Sequence, residues 1–412
     1  MRLPFLFLLG WMVTGPLMAQ PLTIDLCKQL ARDHYPALKQ YQLLTQTAQY
    51  TIENAAKAWL PQVSASLNGL AFTDILKADG ALKPLTDDMP RQVLTGNITV
   101  RQNLYDGGRT KAVRRLAAAT AEVERQQLTV ALYELNHRIE QLYFGILIHD
   151  AKLRQNELFQ SDLALSRQTI VALMRGGMAN QGDLDAVDVE SVKARQAMEA
   201  LQASRSAYVN MLGIFVGRNL QGDSLTCPEP TVVGQENRHP QLAFYQSQID
   251  RLQNKRQQLN TRLLPTLSAF GTGLYHSRVS RLIKPTIWAA GLTMSWNIGA
   301  LYTRKNELRS LDVERRMIES RRETFLFNNR LENEQTSGNI ESLRRQLALD
   351  AELVALRERL RTTSEKRVNF GTESVNELLR KINGLNEARQ QQSIHQLQLI
   401  YETYTLKTNK GL

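Results

Sequence analysis

The chain has 412 residues, with 51 Lys and Arg against 40 Asp and Glu, a net charge of +11, and two cysteines. That length would hold two or three ordinary domains, yet no shift in composition cuts it that way. The positive surplus would suit nucleic acid, but the cations are spread along helices (Arg304, Lys305, Arg309, Arg315, Arg316, Arg321, Arg322) among glutamates and asparagines. That is the pattern of a solvated helix face, and with the export signal described next it excludes nucleic acid as a partner.

Residues 1–19 read as a secretory signal: Arg2 supplies the positive start, Leu3 to Val13 are mostly apolar, and Ala19 is a small residue before the cut. No later stretch approaches eighteen consecutive apolar residues, so no transmembrane helix is expected. A helical segment from Ile24 to Lys57 is interrupted near Tyr35-Pro36 and ends at Leu60-Pro61. Val63, Ala65, Leu67, Gly69 and Ala71 then alternate with Ser64, Ser66 and Asn68, which predicts a strand with one apolar and one polar face. Residues 74–92 read as a loop, and Leu94, Gly96, Ile98 and Val100 alternate with Thr95, Asn97, Thr99 and Arg101 in a second strand. Tyr105-Asp106-Gly107-Gly108 turns that strand into a helix, with Asp106 as N-cap. The helix runs without proline from Gly107 to Met174, on the order of 100 Å at about 1.5 Å per residue. Leu128, Leu132, Leu135, Ile139, Leu142, Ile146, His149 and Leu153 form a coiled-coil seam along it. Arg175-Gly176-Gly177 breaks it, and another helix follows from about Gln181 to Leu212.

The pattern then starts again. His239-Pro240 echoes Tyr35-Pro36, Leu264-Pro265 echoes Leu60-Pro61, and the spacing between the paired prolines is the same in both halves. Two more alternating stretches, Leu267 to Tyr275 and Trp288 to Trp296, lead to a second long helix from near Leu301, in which Leu349, Leu353, Leu356 and Leu360 keep seam spacing. Asn369-Phe370-Gly371-Thr372 breaks it, and the last helix carries Ile394, Leu397, Tyr401 and Tyr404 in seam steps. One module is used twice: residues 22–213 with a hairpin at 62–105, a linker at 214–237, and residues 238–410 with a hairpin at 266–298.

Strands of about ten residues suit a tilted membrane crossing, but open strand edges are not tolerated in hydrocarbon. Four strands are too few for a closed barrel, so closure requires several copies of the chain. Helices polar outside their seam belong in water, and a barrel continued by them would be a conduit. The competing physical reading is a secreted coiled-coil structural or interaction protein whose strands pair outside any membrane.

Leu22-Thr23-Ile24-Asp25-Leu26-Cys27 leading to Ala31 and Pro36, Asn103-Leu104-Tyr105-Asp106-Gly107-Gly108 after a strand, and the turns from Gly177 to Leu184 and Gly371 to Leu379 together resemble the TolC-like outer-membrane efflux protein family. The resemblance covers residues 22–410. It implies a mixed α+β membrane protein with long coiled-coil α-helices and four transmembrane β-strands per chain. A homotrimer would close a 12-strand β-barrel among outer-membrane lipids and continue it as a periplasmic α-helical tunnel. It further implies a passive, non-enzymatic exit duct for a tripartite efflux or type I secretion system. Its partners would be a periplasmic adaptor protein and an inner-membrane RND or ABC transporter. Asn297-Ile298-Gly299-Ala300 departs from the pattern, standing where a Gly-Gly turn is expected.

In that family acidic residues six and nine positions after the second turn glycine line the periplasmic gate. Here these are Glu377 and Arg380, and the first repeat offers Asp183, so the second carboxylate of a pair is replaced by a cation. Ser374 to Glu377 and Asn180 to Asp183 also have capping-box spacing, a role compatible with gating. Gly176, Gly177 and Gly371 mark the hairpin tips where the family docks its adaptor. Trp59, Trp288 and Trp296 are candidates for the membrane interfaces. Cys27 and Cys227 could pair in an oxidising compartment. The six histidines have no metal-ligand spacing, no phosphate loop is present, and no cofactor, metal or catalytic constellation is expected.

Overall fold

A computed structural model describes residues 22–71, 92–229, 234, 236–277 and 284–412. The signal read at 1–19, nearly all of the loop read at 74–92, and parts of the 214–237 linker and of the turn between the last two strands lie outside the described residues. In chain order the elements are α1 (Ile24–His34), α2 (Ala37–Ala56), β1 (Gln62–Ala71), β2 (Gln92–Tyr105), α3 (Arg109–Arg175), α4 (Gln181–Val216), α5 (Pro240–Thr261), β3 (Thr266–His276), β4 (Thr286–Ser295), α6 (Ala300–Asn369) and α7 (Val375–Asn409). The order helix, hairpin, long helix, shorter helix occurs twice. Among the described residues no helix is long and apolar enough to cross a membrane.

The chain divides into two compact units. The first comprises residues up to Tyr35, Glu134–Asn237 and Leu331–Leu412. Its core gathers Ile24, Cys27 and Ala31 of α1, Leu135, Ile139, Tyr143, Phe144 and Ile146 of α3, Val209, Leu212 and Val216 of α4, and Tyr404 of α7. The seam read on α3 is the face that α3 buries here. His149 occupies its seam position with Nδ1 2.7 Å from the Gly145 carbonyl and its ring 5.1 Å from Tyr208. Gly145 is small because it must be: a Cβ there would lie 2.5 Å from the Tyr208 ring. The single proton of the Tyr143 hydroxyl is shared between the carbonyls of Leu22 (2.8 Å) and Thr226 (2.6 Å), fastening the start of the first repeat to the segment that leads out of it. Glu140 is fully buried, and its Oε1 accepts from Lys28 Nζ at 2.7 Å and from the Thr408 hydroxyl at 2.6 Å. One carboxylate therefore ties α1, α3 and α7 together.

The second unit comprises Pro36–Tyr133 and Arg238–Arg330. It holds one antiparallel sheet in the order β1-β2-β3-β4. The two hairpins lie side by side, with Ile98 opposite Ala65 and Gly273, and Gly271 opposite Val100 and Ala290. β1 and β4 are the two edges, and neither has a partner strand among the described residues. Tyr245, Ile249, Leu252 and Leu259 of α5 pack on Leu311 and Ile318 of α6 beside the sheet, whereas α2 has no buried residue at all.

The two strand-to-helix junctions differ. After β2, Gly107 and Gly108 take φ of 65° and 79°, which glycine alone adopts at little cost. The Asp106 carboxylate accepts from the Gly108 N–H at 2.9 Å and the Thr110 N–H at 2.7 Å. Gly107 is also a close approach, since a Cβ would stand 2.7 Å from Leu264 Cβ. Between β4 and α6 no residue has positive φ. The 297–300 stretch enters α6 through successive Ala300→Asn297, Leu301→Ile298 and Tyr302→Gly299 backbone bonds, while Trp296 Nε1 donates to the Leu263 carbonyl at 2.9 Å. A tight helical turn locked by an indole replaces the glycine pair.

Candidate functional site

Strand register sorts the sheet into two faces. One carries Val63, Ala65, Leu67, Leu94, Ile98, Val100, Ala269, Tyr275, Trp288, Ala290, Leu292 and Met294, with several glycines and only Gln92, Gln102 and Thr286 as polar residues toward its ends. The other carries Ser64, Ser66, Asn68, Thr95, Asn97, Thr99, Arg101, Ser268, Thr272, Thr293 and Ser295, interrupted by Leu70, Val93, Phe270, Leu274, Ile287 and Ala289. Hydroxyls on this second face bond each other, as Thr99 does with Thr272 at 3.0 Å. Val63, Leu67, Trp288, Leu292 and Met294 on the first face are 67–81% exposed. So large a contiguous apolar patch on an exposed surface marks a face that is covered by something other than water, and the sheet sets it against a largely polar face.

The three tryptophans read as interface residues all belong to this unit. Trp59 ends the turn before β1, and its carbonyl accepts from Gln102 Nε2. Trp296 follows β4 at the same end of the sheet. Trp288 is the third residue of β4, not its first, and its ring lies flat over Gly273, where a Cβ would come within 2.7 Å. Eight residues separate Trp288 from Trp296, roughly 26 Å along the strand, or about 20 Å once tilted as in a barrel.

The hairpin tips belong to the first unit. At the end of α3, Gly177 (φ 73°) closes the helix with Met178 N–H to Leu173 O (2.9 Å) and Gly177 N–H to Met174 O (3.0 Å). At the end of α6, Gly371 (φ 72°) repeats the motif with Thr372 to Arg367 and Gly371 to Val368, both 2.9 Å. This paired bonding is the Schellman cap, which needs a left-handed residue. Gly176 precedes the first left-handed position and takes ordinary φ.

Asp183 and Asn180 form the full reciprocal capping box at the start of α4. The equivalent box at Ser374 is half made. Glu377 N–H donates to Ser374 Oγ at 3.3 Å, but the Glu377 carboxylate turns to Arg380, with Oε2 3.0 Å from Nη2. The cation that breaks the family's acidic spacing is thus the partner that draws Glu377 away from its cap. No described contact joins Asp183 to Glu377.

Cross-links between the two hairpins escape sequence reading. Arg361 of α6 binds Asp162 of α3 at 3.1 Å and Glu365 of its own helix at 3.0 Å. Asn383 of α7 donates to Glu190 of α4 at 3.2 Å, and Gln155 of α3 to Asn386 of α7 at 3.1 Å. Near the second tip, Lys381 pairs with Glu373. That hydrogen bond, opposed by burial and helped by Ser364, holds the Glu373 carboxyl below its ordinary 4.5. The only local signal in this set is the Arg361–Glu365 spacing.

The disulfide expected between Cys27 and Cys227 is absent, and both are free thiols. Ile24, Cys27 and Ala31 share the core face of α1, so the Cys27 sulfur points into the packed interior, where burial pushes its pKa up to about 12. Cys227 is exposed in the loop after α4. Among the described residues no group of three or more His, Cys, Asp or Glu could hold a metal ion.

No protein-family model and no curated relative matches this sequence. Solved structures do match. The outer-membrane channel OprN superposes with a TM-score of 0.68 at 14% identity, covering 94% of this chain and 89% of that one. The outer membrane protein VceC from Vibrio cholerae gives 0.68 at 11% identity over 94% of both chains. The open-state outer membrane channel MtrE of Neisseria gonorrhoeae gives 0.68 at 13% identity, covering 94% of this chain and 88% of the other. With the duplicated module, the two-faced sheet and the long helices already in place, this chain has the fold of the TolC-like outer-membrane efflux proteins.

Proposed function

We propose that the chain is a passive, non-enzymatic outer-membrane channel. Three copies close their sheets into one 12-strand barrel, β1 of each pairing with β4 of the next, and the long helices form a periplasmic tunnel. The observation that carries this reading is the four-stranded sheet with a bare apolar face, a polar face and two unpartnered edges. Only closure with further copies satisfies such edges in hydrocarbon. The Leu349, Leu353, Leu356 and Leu360 stripe supports the same conclusion: it keeps seam spacing, yet its members are 43–65% exposed, so a neighbouring copy is its natural cover.

In this reading the duct serves a tripartite efflux or type I secretion system, driven by an inner-membrane RND or ABC transporter through a periplasmic adaptor. Gly176, Gly177 and Gly371 shape the hairpin tips that the adaptor meets, where Met178 and Phe370 stand exposed. The Asp162–Arg361 and Glu190–Asn383 links hold the two hairpins together in a resting tip. Glu377, offset by Arg380, and Asp183 line the gate. Trp59, Trp288 and Trp296 face the membrane interfaces.

The test is single-channel conductance of detergent-purified protein in a planar bilayer, beside a mass determination of the oligomer. A trimer with discrete openings is expected. A water-soluble species that never inserts would leave the coiled-coil structural protein in its place. Arg361→Ala is expected to raise conductance by loosening the tip, and an unchanged Glu377→Ala channel would end the gating role of that carboxylate.

A further inference from the structure

We infer that Arg101 gives the duct a preference for anionic cargo, an inference that rests on the barrel reading with the polar face inward. Arg101 is the only Asp, Glu, Lys or Arg in all four strands. It lies on the polar face, opposite Gln62 on one side and Phe270 on the other. No carboxylate lies in either neighbouring strand, and among the described residues no ion pair reaches it.

A lone cation on a wall of hydroxyls and amides is unneutralised, and symmetry repeats it once per copy in a single ring. The wall behind it is hydrocarbon, so field lines are focused into the lumen instead of spreading through water. Rings of Arg or Lys are how pores select anions. The surrounding unit reinforces the sign. Its described residues carry 22 Lys and Arg against 10 Asp and Glu, a surplus of 12, whereas the other unit has 23 against 26. The chain's positive charge is concentrated in the unit that holds the sheet.

The experiment is the reversal potential of wild type, Arg101→Gln, Arg101→Glu and Arg101→Lys channels between roughly 0.01 M and 0.1 M KCl, where the screening length is about 30 Å and 10 Å. Wild type and Arg101→Lys are expected to pass chloride in preference to potassium. Arg101→Gln should lower the chloride-to-potassium permeability ratio about two- to threefold, and Arg101→Glu should carry it toward potassium, with both effects shrinking near 1 M salt. Channels of all four proteins that conduct with one common ratio would overturn the role of Arg101 and leave the duct standing. A wild-type protein that forms no pore at all would overturn the duct, and this inference with it.

Discussion

The two units are built on opposite terms. The first has a core of its own, with the Leu349 to Leu360 stripe left bare on its surface: four helices meet around Tyr143 and Phe144, a buried carboxylate is paired, and the charges nearly balance. The second gathers its hydrophobic cluster between a single helix pair, and much of the rest is exposed. Its sheet shows apolar side chains on one face, open edges on both sides, a helix α2 with nothing buried and a strong cationic surplus. The same repeated module supplies both units. What differs is how much each buries by itself: the first holds a helical core of its own side chains, whereas in the proposed barrel the second would be completed by hydrocarbon, further copies and the ions of a lumen.

That contrast can be broken at its strongest point by Glu140→Ala. It leaves Lys28 without its buried partner and is expected to cost about 3–5 kcal/mol, read as a lower denaturation midpoint of the helical signal. Leu67→Arg probes the other unit. Set against hydrocarbon, an arginine costs about 2–4 kcal/mol, so the detergent-resistant oligomer should melt earlier. In an aqueous sheet the same exposed site would tolerate the change, and an unaltered melting temperature would count against the membrane wall. Asp106→Ala removes the cap at the first junction, worth about 1–2 kcal/mol. The corresponding change at Asn297 should matter less, because backbone turns and Trp296 hold that junction.

The smallest effect expected is one of pH. Glu373 has its carboxyl depressed by Lys381, so the stabilisation it lends the second tip is present above about 4.5 and lost as the pH falls through its lowered value. Amide exchange around residues 372–382 should quicken below that point, and Lys381→Met should abolish the pH dependence.

Periodicity made most of this fold legible. The alternation of Val63 to Ala71 and the seam from Leu128 to Leu153 each specify an element and the face it buries or bares, and the matched prolines reveal the duplication. Asn180 and Asp183 were readable as a cap because capping is local. The Asp162–Arg361 and Glu190–Asn383 links were not, since they join residues almost two hundred positions apart through packing that no short pattern encodes. Cys27 shows the same limit: two cysteines in an exported chain suggested a bridge with Cys227, while the structure places Cys27 on the core face of α1 with Ile24 and Ala31 as a free thiol. The Leu349 to Leu360 stripe was legible as a seam, but the sequence did not reveal that it stays exposed in the single chain.

The unpartnered edges of β1 and β4 also bear on the order of events in folding. The core of the first unit around Tyr143 and Phe144 can form at a rate independent of how much protein is present, because all of its groups are in the same chain. In the proposed barrel the sheet's edges would be satisfied only by collision, so its maturation should be second order or higher in protein, slowing on dilution while the helical signal of the first unit does not. Between the two steps each molecule exposes strand edges next to bare leucines, the combination that leads to aggregation. Its yield is therefore set by a race between meeting its own kind in register beside a membrane and meeting it out of register in water.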